Sequence, residues 1–275
     1  MLVIAMVLGG TAGACSLLLD SADFTGAGQS DAAAAAPDVV TIDALVEAEA
    51  DAPQQDRYFG EVMSDGPIAY FRLSDTTPSC KNEVSGSSIT ALYPTGGATQ
   101  NVPGALSGVS DGALRFDSLS ARLAVYGDLD FPGDQPFTIE AWVKLADFSG
   151  VDIASDMTFS GSVRTGWVLF LEGASRFRSE MWKDNVHLLY AVHDTPVTTS
   201  SFHHVVLFHS NVDQLDHLVI DGRFAAGGST DRGPGLRIVN GSLQTWGGFR
   251  GTLDELAIYD KALPLERIVA HYDAR

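Results

Sequence analysis

The run GTLDELAIYD, residues 251–260, sets two carboxylates inside a stretch that otherwise reads as a strand. A period of two groups Asp254 with Leu256 and Ile258, and Glu255 with Leu253, Ala257 and Tyr259. Whichever face is core, a carboxylate lies near it. An unpaired ionised carboxylate there costs on the order of several kcal/mol, so it must find a cation, an Arg or Lys partner, or backbone donors. Calcium is chemically apt, because it takes its ligands from carboxylates and loop carbonyls. A second acidic loop, YGDLDFPGDQ, brings Asp128, Asp130 and Asp134 close to glycine and makes Asp128 and Asp130 further candidate metal ligands. It departs from EF-hand spacing and lacks the terminal bidentate Glu, so a solvated turn is the competing reading.

Catalytic patterns are weaker. GVSDG, residues 108–112, matches G-x-S-x-G, but a nucleophile elbow needs a strand before it and a helix after it; here a strand follows, which makes Ser110 a turn residue. Glycoside hydrolysis needs two carboxylates about 5 to 9.5 Å apart in a cleft, and Glu140 in FTIEAWVK has Trp142 rather than an acid two residues on. His203, His204 and His209 suggest a metal, yet strand parity puts His204 on one face and the other two on the opposite face, roughly 20 Å apart along an extended chain. No catalytic residue is assigned. For ligand binding the candidates are aromatic platforms with polar neighbours: Trp182 with Asp184 and Asn185 in SEMWKDN, Tyr190, Trp142, and Trp246 in QTWGGF. The competing role for each aromatic is core packing.

The elements that must position these residues are short alternating runs separated by Gly, Pro, Asn and Asp from Tyr58 onward. In FTIEAWVKL, Phe137, Ile139, Ala141, Val143 and Leu145 share a core face, while Thr138, Glu140, Trp142 and Lys144 share a partly open one. IAYFRL (68–73), ALRFD (113–117), RLAVY (122–126), GWVLFLE (166–172), VHLLYAV (186–192), FHHVVLFH (202–209), DHLVIDGR (216–223) and LRIV (236–239) read alike. Asp221-Gly222 is a type I′ hairpin signal. One helix is expected, at the end, where Pro264 precedes Leu265, Ile268, Val269 and Tyr272 at helical spacing, packed on the sandwich edge. The fold class is therefore all-β, a two-sheet antiparallel sandwich with a short C-terminal helix.

The composition, 45% hydrophobic and 19% charged over 275 residues, supplies a core. The net charge of −18 opposes nucleic acid as a partner. Two cysteines, Cys15 and Cys80, are too few for a disulfide scaffold. The first residues, MLVIAMVLGGTAGAC, have the layout of a signal peptide over 1–14. The ending Ala12-Gly13-Ala14-Cys15 resembles the bacterial lipobox, which implies lipidation of Cys15, membrane contact through that anchor alone, and a secreted lipoprotein of the cell envelope. Residues 15–56 contain no Lys or Arg and read as an acidic tether; residues 57–275 form the sandwich domain.

The ordered set GPIAYFRLSD, VPGALSG, DGALRFD, FTIEAWVK, FHHVV, LVIDG and GTLDELAIYDKALPLERIVAHY resembles a laminin G-like domain of the concanavalin A-like lectin/glucanase superfamily, a jelly roll. The resemblance implies a structural calcium with Asp254, the last-strand aspartate, among its ligands. The superfamily's glucanases carry an E-x-D-x-(x)-E strand that no segment here reproduces. The expected function is non-catalytic recognition of carbohydrate or another cell-surface protein, with polysaccharide hydrolysis or a structural assembly role as alternatives.

Overall fold

A computed structural model describes residues 54–106, 111–131, 135–149, 152–173, 175–194, 196–225, 227–229 and 243–275. The signal peptide, Cys15, most of the tether, Ser110, Asp134 and the expected strand 236–239 lie outside the described residues.

The described strands form two sheets in which every pairing is antiparallel. The first runs β14 (Arg223–Ala225), β13 (Leu215–Ile220), β12 (His203–Ser210), β7 (Phe137–Leu145), β17 (Gly251–Tyr259), β5 (Gly112–Phe116) and β4 (Ala98–Pro103), with β1 (Ala69–Phe71) also on β17. The second runs β15 (Gly227–Ser229), β11 (Val186–Val192), β10 (Arg176–Lys183), β9 (Val163–Glu172), β8 (Asp152–Ser160), β16 (Leu243–Gly247), β6 (Arg122–Tyr126), β3 (Thr90–Leu92) and β2 (Ser79–Cys80). The core lies between them. Phe137, Ile139, Ala141, Val143 and Leu145 face it from β7 as the alternation requires, against Trp167, Leu169 and Leu171 of β9 and Phe177 and Met181 of β10. Asp221 and Gly222 turn between β13 and β14 with φ of 52° and 70°, the left-handed pair a type I′ turn demands.

The other face of β7 is closed rather than partly open: Thr138, Glu140 and Trp142 are fully buried. Two helices cover it. The sequence reading anticipated one of them, α2 (Leu265–Asp273), and placed it on the sandwich edge; the first, α1 (Gln54–Ser64), occupies residues assigned to the tether and to the start of the strands. Tyr58 and Val62, one turn apart on α1, and Ile268 and Tyr272 on α2 pack with Trp142, Val206, Val219, Ala257 and Tyr259 in a second apolar cluster. Proline suits the α2 start, since Pro264 at the N-cap needs no backbone donor.

A polar clamp ties these helices down. Glu140 Oε1 accepts from the Tyr259 hydroxyl at 2.6 Å, and its carboxylate lies 3.0 Å from His271 Nδ1 and 3.4 Å from His204 Nε2. His271 Nε2 reaches Asp65 at 2.9 Å, which also takes Arg267 at 2.8 Å. Burial alone would lower the His271 pKa, but the Glu140 and Asp65 carboxylates outweigh it and raise it. Burial would likewise raise Glu140, yet His271 and His204 hold it well below the usual carboxylate range.

A group whose folded pKa is raised stabilises the protein fully below its unfolded value, here about 6.5, and loses that contribution as pH rises through the folded value. Urea unfolding should therefore show stability falling above pH 6.5 in wild type, with this part of the profile flattened in His271→Gln. Below that pH the substitution should cost roughly 3–5 kcal/mol, because it removes the closest charged partner of a buried carboxylate. Parallel pH profiles for the two proteins would remove His271 from the clamp.

Candidate functional site

The period-two reading of TLDELAIYD fails at its centre. On β17, Asp254 pairs with Trp142 and Ala257 with Glu140, so four β17 residues oppose three of β7 in a bulge. Glu255 sits there at φ 51°, an uncommon conformation for a residue with a Cβ. The bulge shifts the phase: Leu253, Leu256 and Ile258 face the inner core, while Ala257 and Tyr259 join the outer cluster. Asp254 and Glu255 consequently share the outer side, rather than pointing to opposite faces.

The bulge marks a fork. Residues 251–253 of β17 pair with β5 and residues 256–258 with β1, and the two carboxylates lie between the branches. Asp111, just ahead of β5, completes a buried trio with ligand oxygens within 4.8 Å of one another. Asp254 accepts the Ala105 N–H at 2.6 Å and the Glu255 N–H at 3.0 Å. Glu255 accepts from the Tyr70 hydroxyl and from Arg72 Nη2 at 3.1 Å. Arg72 also stands 3.7 Å from Asp111, whose side chain is fully buried and whose two oxygens have no hydrogen-bond donor among the described residues.

One guanidinium thus stands by two members of a cluster of three carboxylates. Burial raises the Asp254 carboxyl well above the usual range, and the charges of Glu255 and Asp111 push the same way. Burial, opposed by Arg72 and reinforced by Asp111, pushes Glu255 up to about 8. Asp111 rises by burial too, against the pull of Arg72. Excess negative charge here is balanced either by protons or by a hard cation. The donor set fits calcium: three carboxylates, two oxygens of which lack a donor, beside the irregular backbone leading from Gly104. Sequence proximity reveals Glu255 but gives no sign of Asp111, Arg72 or Tyr70, which reach the fork through β-pairing.

The other expected metal ligands are elsewhere. Asp128 and Asp130 are exposed on the rim of a cleft of about 540 Å³, with Asp260, Ser87 and Gln135, and are not part of the buried trio. The histidines separate as parity requires. His204 lies on the outer side against Trp142, while His203 bonds Asp221 at 2.7 Å and His209 bonds Asp216 at 3.0 Å.

Of the ligand-binding candidates, Trp246 is 2% exposed in the inner core, which removes it as a sugar platform. Asp184 and Asn185 form the β10–β11 turn with φ of 51° and 67°, and Asn185 Oδ1 accepts the Arg164 N–H at 2.9 Å. Their immediate work is to join two hairpins. Trp182 and Tyr190 stand on the outer face of the second sheet, half-buried. The Arg164 guanidinium lies over the Trp182 ring at 3.2 Å from its centroid, and Trp182 Nε1 donates to Glu180 at 2.9 Å. Arg178 lies 5.1 Å from the Tyr190 ring and 5.9 Å from Phe170, held by Glu172 and Glu180. Phe159, opposite Arg164 on β8, is 68% exposed.

A laminin G-type family described as the concanavalin A-like lectin/glucanases superfamily matches residues 117–269, more than half of the chain. The chain belongs to this superfamily. Among curated proteins none matches. Solved structures similar to it include the ligand-binding domain of botulinum neurotoxin serotype D in complex with N-acetylneuraminic acid, at 14% identity and a TM-score of 0.58 over 78% of this chain and 53% of that one. The binding domain of Paraclostridial Mosquitocidal Protein 1 matches at 17% identity and a TM-score of 0.56, over 76% and 52%. Trypanosoma rangeli sialidase matches at 15% and 0.55, over 83% and 39%. The chain spans about half the length of the toxin domains, and at these identities the likeness shows the fold alone.

The fork also depends on Gly104, where an added Cβ would stand 2.5 Å from Asp254 Oδ2 and 3.1 Å from Asp111 Oδ2. Asp254 is held at both oxygens and has little room to yield. Gly104→Ala should therefore lower stability by about 1–3 kcal/mol in a urea titration. An unchanged midpoint would mean that the trio is loosely held.

Proposed function

We propose that this chain is a non-catalytic recognition module for carbohydrate, with calcium bracing the β17 fork. The observation that carries the reading is the contrast between the two outer faces. Helices close the first. On the second, Trp182, Tyr190 and the exposed Phe159 stand among arginines and glutamates that already hold one another. Flat aromatic surface beside hydrogen-bonding groups suits a sugar ring, and rotamers fixed before binding reduce the entropy lost on association. The superfamily and the binding domains among its structural neighbours support the same reading at the level of fold.

Calcium would be held by Asp111, Asp254 and Glu255, where it supplies positive charge and no chemistry. The chain's own residues do the rest: Tyr70 and Arg72 orient Glu255, and the Ala105 amide orients Asp254.

Incubation of the protein with a panel of insoluble polysaccharides, recording protein depleted and reducing ends released, tests the function. The expected result is depletion without released ends, with Trp182→Ala weakening it by about 2 kcal/mol, or roughly 30-fold. Released ends would make the protein a hydrolase; neither signal would favour a protein partner or an assembly role. Calcium is tested separately by thermal melting. It should raise the wild-type midpoint by an amount that corresponds to about 2.7 kcal/mol at a hundredfold excess over Kd. Asp254→Asn should lower the calcium-free midpoint, because its amide nitrogen cannot accept one of the two backbone N–H bonds, and should also lose the calcium increment. Equal responses in both proteins would place the ion elsewhere.

A further inference from the structure

On the outer face of the first sheet the helices stop short of one end. Thr138, Glu140 and Trp142 of β7 are fully buried, but Lys144, next on the same face, is half-buried. There the strand register sets a row: Lys144 is opposite Thr252 on β17, Thr252 is opposite Arg115 on β5, and Arg115 is opposite Thr99 on β4. Adjacent strands are about 4.8 Å apart, so Thr252 lies midway between two cationic residues separated by roughly 10 Å at the backbone. Lys144, Thr252 and Arg115 line a cleft of about 310 Å³ with Thr199 and an apolar wall that includes Val102 and Pro103.

The charge of this cleft runs against that of the protein. In a chain of net charge −18, no carboxylate is among its described lining residues. The larger cleft beside Asp128 has the opposite character, with three aspartates and no Lys or Arg in its described lining. Lys144 has no carboxylate partner among the described residues, and its ammonium lies 5.8 Å from the Phe202 ring, which favours the charge without neutralising it. Arg115 is held from behind: Nε bonds Asp117 at 2.7 Å and Nη2 bonds Thr99 at 3.2 Å. Asp117 offsets one positive charge and fixes the guanidinium, which leaves a net single positive charge for a ligand to meet.

We infer that this cleft binds a carboxylate-bearing sugar residue of an acidic polysaccharide. The carboxylate takes charge-assisted hydrogen bonds from Lys144 and Arg115, ring hydroxyls pair with Thr252 and Thr199, and the less polar sugar face lies on Val102 and Pro103. A monoanion matches the net charge, and the short reach of these contacts lets them act in spite of the repulsive overall field, which salt screens beyond about 8 Å at physiological ionic strength. The inference rests on carbohydrate recognition but uses a different face from Trp182, so each can fail alone.

The test is affinity electrophoresis of the full chain in gels containing polygalacturonate, dextran sulfate or neutral dextran. Polygalacturonate should retard the wild type more than dextran sulfate does. Lys144→Gln and Arg115→Gln should each weaken that retardation about tenfold or more, Lys144→Arg should restore most of it, and Lys81→Gln, which changes net charge equally at an exposed site outside the cleft lining, should leave it unchanged. Circular dichroism melts of the variants should coincide with wild type, since both side chains reach solvent. Retardation by polygalacturonate that survives both Gln substitutions, or equal retardation by dextran sulfate, overturns the inference. If neutral dextran or another neutral glycan binds through Trp182 while polygalacturonate does not, this inference fails and the recognition reading stands. If no glycan binds at all, both fail.

Discussion

The outer face of the first sheet is organised by the cost of burying carboxylates. Glu140, Asp254 and Glu255 lie on adjacent strands of one sheet and are all fully buried, in a setting where an ionised carboxylate without partners is costly by several kcal/mol or more, on the order of a domain's whole net stability. Two solutions stand side by side. Glu140 recruits cationic or hydrogen-bonding partners from the helices and from Tyr259, so the helices are fastened by charge as well as by apolar contact. Asp254 and Glu255 draw on Arg72, Tyr70 and the Ala105 amide, which covers their demand only in part. The excess that remains distinguishes the fork from the clamp, where Glu140 has a partner at each oxygen.

Position in the sheet decides which solution each takes. Glu140 is paired on both sides, to Val206 of β12 and to Ala257 of β17 at the margin of the bulge, and its side chain points outward, toward α1 and α2. The Asp254–Glu255 pair falls where β17 leaves β5 for β1, and the gap between the branches admits a loop backbone and a third carboxylate. A bulge at that point turns both acids to the same side at the expense of a left-handed Glu255. A glycine there would relieve the backbone and remove a carboxylate from the trio, so the strain and the acidity are one choice.

Much of the fold is legible in the amino-acid order because most strands obey a period of two. β6, β7 and β11 appear with their full extents, the Asp-Gly turn falls where it was expected, and parity alone separates His204 from His203 and His209. What escapes is wherever a second rule overrides the period. The bulge reverses the facing of everything after Glu255. β8 and β10 carry Asp156 and Ser179 toward the core, which disguises their apolar side. α1 has Gly60 between Tyr58 and Val62 and too few residues to stand as a helix without the sheet beneath it. The acidic pair of the fork was visible; Asp111 and Arg72 were not, since only tertiary pairing brings them there.

The same accounting explains which surfaces are left open for the proposed recognition. Once helices cover Glu140 and Trp142, the first sheet can offer ligands only its uncovered end, and there the register leaves Lys144 and Arg115 on either side of Thr252. Among its described residues the second sheet has no buried outer carboxylate to satisfy, and its acids instead lock arginines against aromatic rings. A sandwich with one capped face keeps its long apolar cluster and its fork fixed while the exposed rows vary. Changes at Trp182 or Lys144 should consequently act on affinity with little effect on folding, whereas changes at Glu140 or Asp254 should act on folding first.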